Sequence, residues 1–265
     1  MTTFAELGLA PDLLRALDEM GYVTPTPIQE QVIPLALHGG DILGAAQTGT
    51  GKTAAFALPL IQRLLPFANS STSPAKHPIR ALILTPTREL AIQVEESIQA
   101  YTKHVPLRSL VVYGGVNINT QIPILKTGVE ILVATPGRLL DHVQNKTLML
   151  TQVNTLVLDE ADRMLDMGFM PDLKRIVALL PAQRVNMMFS ATFPEEIRKL
   201  ADSILNTPTF IEVARNETAV TVTQVVHPVH HERKRQLLAH LIKSRDLRQV
   251  LVFTGTKLGC NRLAN

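Results

Sequence analysis

Only one cysteine, Cys260, occurs among the 265 residues, so an intramolecular disulfide is impossible and nothing points to an oxidising compartment. Tryptophan is absent and aromatic residues make up 4% of the chain, which argues against nucleic-acid recognition through a dense platform of stacked bases. Any nucleic-acid contact is therefore expected at phosphates and sugars. Long apolar runs are missing too: the longest uncharged stretch, Ser109 to Leu125, is broken by Gly, Asn and Gln, which excludes a membrane span there. Residues Met1 to Glu6 show neither the basic nor the apolar region of a secretory signal, so a cytoplasmic setting is expected. Charge of one sign is not in large excess. The net charge is +3, although a pI of about 9.1 leans basic and suits a polyanionic partner.

What is present is the composition of a folded chain, with 46% apolar and 18% charged residues, and the length suits one large domain or two modest ones. Short runs rich in Val, Ile and Leu recur near Asp41–Ala46, Ile79–Thr85, Ser109–Tyr113, Glu130–Ala134, Thr155–Asp159, Val185–Ser190 and Thr209–Val213. They alternate with longer helix-like stretches, the pattern of parallel strands joined by crossover helices. Several are apolar on successive residues, so both sheet faces need cover. The expected fold is α/β, a doubly wound parallel sheet with helices on both faces. Helix starts are expected at Thr85 with Pro86 and at Thr135 with Pro136, and Asn69 to Pro78 reads as a surface loop. Around 214–221 the pattern lapses into a polar stretch, read as a linker. It resumes with a strand over Val222 to Val229, a helix near Arg233 to Lys243 and a strand over Gln249 to Thr254. About 45 residues lie near the lower limit for an independent core, so the unit over 222–265 is expected to be incomplete.

Ligands of such sheets gather at the carboxyl ends of the strands, and nearly all the polar motifs fall there. Ala46, Gln47, Thr48, Gly49, Thr50, Gly51, Lys52 and Thr53 follow a predicted strand, precede a helix, and fit the phosphate-loop pattern except for alanine at its first position. Glycines let the backbone wrap phosphate, the helix start supplies unpaired amides, Lys52 supplies a point charge and Thr53 can ligate magnesium. An ordinary Gly-rich turn is the competing reading, and the strand-to-helix placement weighs against it. Asp159 and Glu160 close another apolar run at the same expected sheet edge. One carboxylate there can hold the metal while its neighbour orients and deprotonates the attacking water.

Asp159, Glu160, Ala161 and Asp162 spell the signature of the DEAD-box ATP-dependent RNA helicases, and residues 4 to about 257 resemble that family in order. The resemblance implies a RecA-like fold: an ATP-binding domain over 1–213, a linker over 214–221, and the start of a helicase C-terminal domain over 222–265. Gly21 to Gln29, with Phe4 upstream, resembles the family's Q motif, which implies a nucleotide site including Phe4, Tyr22, Thr24 and Gln29. Gln29 is expected at the adenine edge, Tyr22 as the stacking ring, and ATP with Mg2+ as the ligand. A glutamine amide offers both a donor and an acceptor, as that edge requires. Pro86, Thr87 and Arg88, then Gly114 and Gly115, then Thr135, Pro136, Gly137 and Arg138 are similar to the family's first-lobe RNA-contacting motifs. Helix starts and glycine amides there can accept phosphate oxygens while Arg88 and Arg138 add charge, which predicts sequence-independent, salt-sensitive binding. Taken singly, these motifs also read as standard helix starts and turns.

Ser190, Ala191 and Thr192 look like the motif linking hydrolysis to strand separation, with hydroxyls on Asp162; Thr192 with Glu195 also reads as a capping box for a helix near Pro194. Val250 to Lys257 resembles the first second-lobe motif with Phe253 in place, but Gly255 stands where relatives of the bacterial RhlE type carry Arg. His227, His230 and His231 lack the companions of a metal site and read as a solvated strand end, and Arg233, Lys234 and Arg235 read as an exposed helix start. Three functions are weighed. The first is an ATP-dependent RNA helicase, with partners in ribosome assembly or RNA decay implied by family analogy. The second is a truncated ATP- and RNA-binding module that turns over little for want of a second-lobe arginine finger. The third is a phosphate-loop switch unrelated to RNA.

Overall fold

The seven apolar runs expected as strands all pair into one sheet. The computed structural model describes residues 2–47, 49–213, 223 and 225–264, and the chain divides into two compact units, 1–215 and 216–265. In the first unit the order is α1 (Pro11–Glu19), α2 (Pro27–His38), β1 (Ile42–Ala45), α3 (Lys52–Leu64), β2 (Ala81–Leu84), α4 (Arg88–Tyr101), β3 (Ser109–Val112), α5 (Ile122–Leu125) and β4 (Ile131–Ala134). It continues with α6 (Pro136–Gln144), β5 (Thr155–Leu158), α7 (Ala161–Asp166), α8 (Met170–Ala178), β6 (Val185–Ser190), α9 (Glu195–Ile204) and β7 (Thr209–Glu212). The strands lie in the order β3-β4-β2-β5-β6-β1-β7, every pair parallel. Parallel pairing places all carboxyl ends on one edge, where the turns after β1, β2, β4, β5 and β6 meet.

Two cores, one per face, explain the continuous apolar runs. Along β2, Ala81 and Ile83 pack with α1 to α4, while Leu82 and Leu84 pack with α6 to α9; Ile131 and Val133 of β4 split from Leu132 and Ala134 in the same way. Each of these side chains is fully buried, which stabilises the fold by about 1.5–3 kcal/mol for a Leu or Ile. At the amino edge Asp41 is buried and accepts from Asn186 N at 2.7 Å, Asn186 Nδ2 at 2.9 Å and Asn206 N at 2.7 Å, tying the start of β1 to β6 and to the turn before β7.

Of the two expected helix starts, Thr135 with Pro136 is where α6 begins. The other lies two residues on: Thr87, not Thr85, caps α4 and accepts from Leu90 N at 3.2 Å. Thr85 N still donates to Ala134 O at 3.0 Å, so that backbone is held by the sheet and cannot yet turn into a helix. Among the described residues no helix is long and apolar enough to cross a membrane.

The second unit contains α10 (Lys234–Ser244) and α11 (Lys257–Ala264). Neither strand expected there forms among its described residues, and Leu251 and Phe253 are exposed. A strand is stable only where a neighbour completes its hydrogen bonds, and none is paired here. The proposed linker 214–221, with 222 and 224, lies outside the described residues. His227 and His230 are exposed and Arg233 to Arg235 sit at the exposed start of α10. Among the described residues no group of three or more His, Cys, Asp or Glu is placed to hold a metal.

Candidate functional site

The loop after β1 turns on glycines. Gly49 and Gly51 have φ of +85° and +91°, a region that residues with a Cβ enter only at a cost, and Gly51 leads directly into α3. A Cβ at Gly51 would lie 2.5 Å from Gln29 Nε2 and 2.8 Å from Thr26 Oγ1, so packing as well as conformation requires glycine. Thr50 Oγ1 donates to Gln47 O at 2.8 Å, and Ala46 N donates to Ser190 O at 3.1 Å. Thr48 lies outside the described residues. Lys52, the first residue of α3, is buried, and Thr53 follows in the turn whose amides have no intrahelical partner.

Strand β6 lies between β1 and β5, so the acids after β5 come up on the same edge as this loop. Lys52 Nζ is 3.7 Å from Asp159 Oδ1, both side chains being almost wholly buried. Burial pushes the Asp159 carboxyl up to about 6; Lys52 opposes the shift and the neighbouring Glu160 adds to it. Asp159 Oδ1 finds no hydrogen-bond donor among the described residues. Glu160 sits in the left-handed region, φ 54° and ψ 54°, at the start of α7, a conformation costing on the order of 1–2 kcal/mol for a residue with a Cβ. Such strain collects where a site dictates the backbone.

The turn after β6 is bonded to α7. Ser190, buried, accepts from Asp162 N at 3.2 Å and donates to Thr192 O at 2.7 Å, while Thr192 N and Oγ1 both donate to Asp162 Oδ2 at 2.9 Å. The hydroxyl contact anticipated for Asp162 is thus made by Thr192. The capping box anticipated for Thr192 and Glu195 is not: α9 begins after Pro194 with no side-chain cap, and the Thr192 hydroxyl donates to Asp162 instead.

The segment before α2 braces the same loop. Thr26 and Gln29 form a capping box, Gln29 Oε1 accepting from Thr26 N at 2.8 Å, and both reach onward: Thr26 Oγ1 donates to Thr50 O at 2.9 Å and Gln29 Nε2 to Gly51 O at 3.1 Å. Gln29 is therefore buried against the loop, with one N–H and one lone pair left on its amide. This bracing by Thr26 was legible as Thr-x-x-Gln, yet Thr26 was absent from the expected site. Tyr22 is partly exposed, with buried Phe4 6.1 Å away between ring centroids, and Thr24 is exposed. Tyr101 also touches Tyr22, edge-on at 6.2 Å and 88°, with the two hydroxyls 3.2 Å apart. Nothing near Tyr101 in the sequence marks that contact, which spans 79 positions.

The motifs after β2, β3 and β4 assemble on the same edge, since those strands are neighbours. Arg88, exposed at the start of α4, lies over Gly115, where φ is +81° and a Cβ would meet Arg88 Nη1 at 2.6 Å. Gly114 and Gly137 have open space where a side chain would be, while Pro86, Thr135 and Pro136 are buried. Arg138 departs from expectation. Its guanidinium is buried, donating from Nη1 to Gln121 Oε1 at 3.0 Å and from Nη2 to Val116 O at 2.8 Å, with Asp141 Oδ2 3.4 Å from Nε. It braces the loop after β3 from within, because α6 packs that side chain under the loop. Gln121, unmarked in the sequence, is the hub, also accepting from His142 Nε2 at 2.9 Å. Burial, reinforced by Arg138, holds the His142 imidazole below its ordinary pKa.

Comparison with known proteins places this geometry in a lineage. Residues 26–200 match the family described as DEAD/DEAH box helicase. The ATP-dependent RNA helicase CshA of Listeria monocytogenes is 44% identical over the whole chain, which covers 49% of that protein. The DEAD-box helicase CshA of Geobacillus kaustophilus is 42% identical with 55% of it covered, and RhpA of Helicobacter pylori is 40% identical over 98% of the chain with 51% covered. The chain spans about half the length of these relatives. The loop of Lys52, the acids of β5 and the hydroxyls of β6 thus lie in a sequence framework shared across its whole span, and the chain belongs to the DEAD/DEAH box helicase family.

Proposed function

We propose that this chain carries the ATP-binding and first-lobe RNA-gripping machinery of an ATP-dependent RNA helicase, coupling nucleotide binding and hydrolysis to local duplex separation. The supporting observation is the approach of Lys52 Nζ to Asp159 Oδ1 at 3.7 Å beside a glycine-shaped helix start, that buried oxygen having an ion-pair partner but no hydrogen-bond donor among the described residues. A carboxylate oxygen so placed fits a divalent cation, which Asp159 and Thr53 would hold. Magnesium, when bound, would neutralise the phosphate oxygens and fix their position. Lys52 and the amides at the start of α3 receive the phosphates, Glu160 orients and deprotonates the attacking water, and Thr192 with Ser190 ties Asp162 to the state of the site. Arg88, with the amides near Gly114, Gly115 and Gly137, grips the sugar-phosphate backbone without reading bases. Under this reading residues 1–213 form the ATP-binding lobe, 214–221 the linker and 222–265 the start of the second lobe, acting in the cytoplasm. The names of the relatives support ATP and RNA as ligands.

The test is Lys52→Ala. ATP binding by residues 1–265 is expected to vanish while the fold persists; undiminished ATP affinity would refute the assignment. RNA affinity should fall steeply with salt and be indifferent to sequence, and salt-independent binding would remove RNA from the reading.

A further inference from the structure

The Tyr101 hydroxyl serves neither the sheet nor a solvent-facing surface. Tyr101 is the last residue of α4 and is buried, yet its ring stands edge-on to Tyr22 and its hydroxyl lies 3.2 Å from the Tyr22 hydroxyl. Phe4 confines Tyr22 from another side at 6.1 Å. Four and seven residues further on, Thr26 and Gln29 are bonded to the carbonyls of Thr50 and Gly51. The segment 22–29 is thus pinned at one end to the phosphate loop and at the other to α4. The same end of α4 holds α1: Lys103 Nζ donates to Glu19 Oε2 at 2.6 Å, and His104 Nε2 is 3.0 Å from Glu19 Oε1.

We infer that Tyr101 is a positioning residue for base recognition, fixing the tilt of Tyr22 through the paired hydroxyls so that the partly exposed ring is set in advance for a planar base. This rests on the reading that the nucleotide base stacks on Tyr22. An aromatic ring held at its tip and along two sides has lost its freedom before the ligand arrives, and that loss is not charged to binding. Tyr101 touches no ligand; it acts through Tyr22.

The experiment measures ADP and inorganic tripolyphosphate binding to residues 1–265 by calorimetry, in the parent chain and in Tyr101→Phe, Tyr22→Phe, the double Phe variant and Tyr22→Ala. Tyr101→Phe is expected to weaken ADP roughly two- to tenfold, the worth of one hydrogen bond, while leaving tripolyphosphate unchanged because the phosphate loop is untouched. Tyr22→Phe and the double variant should match that loss and not exceed it, since each removes the same bond. Equal weakening of ADP and tripolyphosphate by Tyr101→Phe would reduce Tyr101 to a general structural residue and overturn the inference. Loss of ADP selectivity in Tyr22→Ala with no change in Tyr101→Phe would overturn it while leaving base stacking intact. No selective ADP loss in Tyr22→Ala would bring down the stacking reading and the inference together.

Discussion

Replacing Asp159 by Asn should make the protein more stable while, under the proposed function, removing ATP hydrolysis. Burial raises this carboxyl from 3.8 to about 6 even though Lys52 lies beside it, so the folded state holds the ionised form at a cost that the unfolded chain does not bear. A folded pKa above the unfolded one means stability is fully present below about pH 4 and is lost as pH rises through 6. At about 1.36 kcal/mol for each unit of pKa, the loss levels off at roughly 3 kcal/mol above pH 7 and is about half that at pH 5. Asparagine keeps the shape of the protonated acid and carries no charge. Asp159→Asn is therefore expected to be more stable than the parent by roughly 3 kcal/mol at pH 7.5 and about 1.5 kcal/mol at pH 5, raising Tm by roughly 6–12 °C at the higher pH. Urea or thermal unfolding of both proteins at the two pH values is the assay. A gain that does not depend on pH, or a destabilised variant at pH 7.5, would show that Lys52 already compensates the buried charge and would refute the reasoning.

Other perturbations separate site from scaffold. Gly51→Ala should abolish ATP binding and cost about 1–3 kcal/mol in unfolding experiments, since its Cβ would press on Gln29 and Thr26 from a left-handed backbone. Arg88→Ala should lower RNA affinity and flatten its salt dependence by about one phosphate contact without changing Tm, whereas Arg138→Ala should lower Tm, costing about 2–4 kcal/mol, by orphaning Gln121 and Val116. Asp41→Ala should cost about 3 kcal/mol in urea unfolding yet leave ATP affinity intact, because its three N–H partners lie at the opposite edge of the sheet.

The fold was readable because a parallel sheet writes itself as unbroken apolar runs: β2 and β4 are buried on both faces, residue by residue. The Gly-rich loop before α3 and the acids after β5 could be placed on one sheet edge from the sequence because each lies within a few residues of its own strand end. What stayed hidden depends on partners far away in the chain. Arg138 and Gln121 look like surface residues until α6 buries one against the other, and Asp41 meets Asn186 across 145 positions. Thr192 was offered two partners, and only the folded turn decides between Asp162 and its own helix. The apolar run at 249–254 carried a strand's composition, but composition cannot supply the neighbouring strand that a ladder needs.

The place of β6 between β5 and β1 has a further consequence. Because the loop that carries Lys52 leaves β1 and Asp159 follows β5, with β6 between these strands, their gap depends on ladder spacing and register as well as on the loop. Two inter-strand steps amount to roughly 10 Å, and a slip of one residue in β6 would displace an end by about 3.3 Å while turning its side chains to the opposite core. Under the proposed function the spacing of the site is thus written in β6, whose apolar members Val185, Met187, Met188 and Phe189 are buried away from it: exchanges among these four that preserve register would leave the site alone, and one inserted residue would mis-set it.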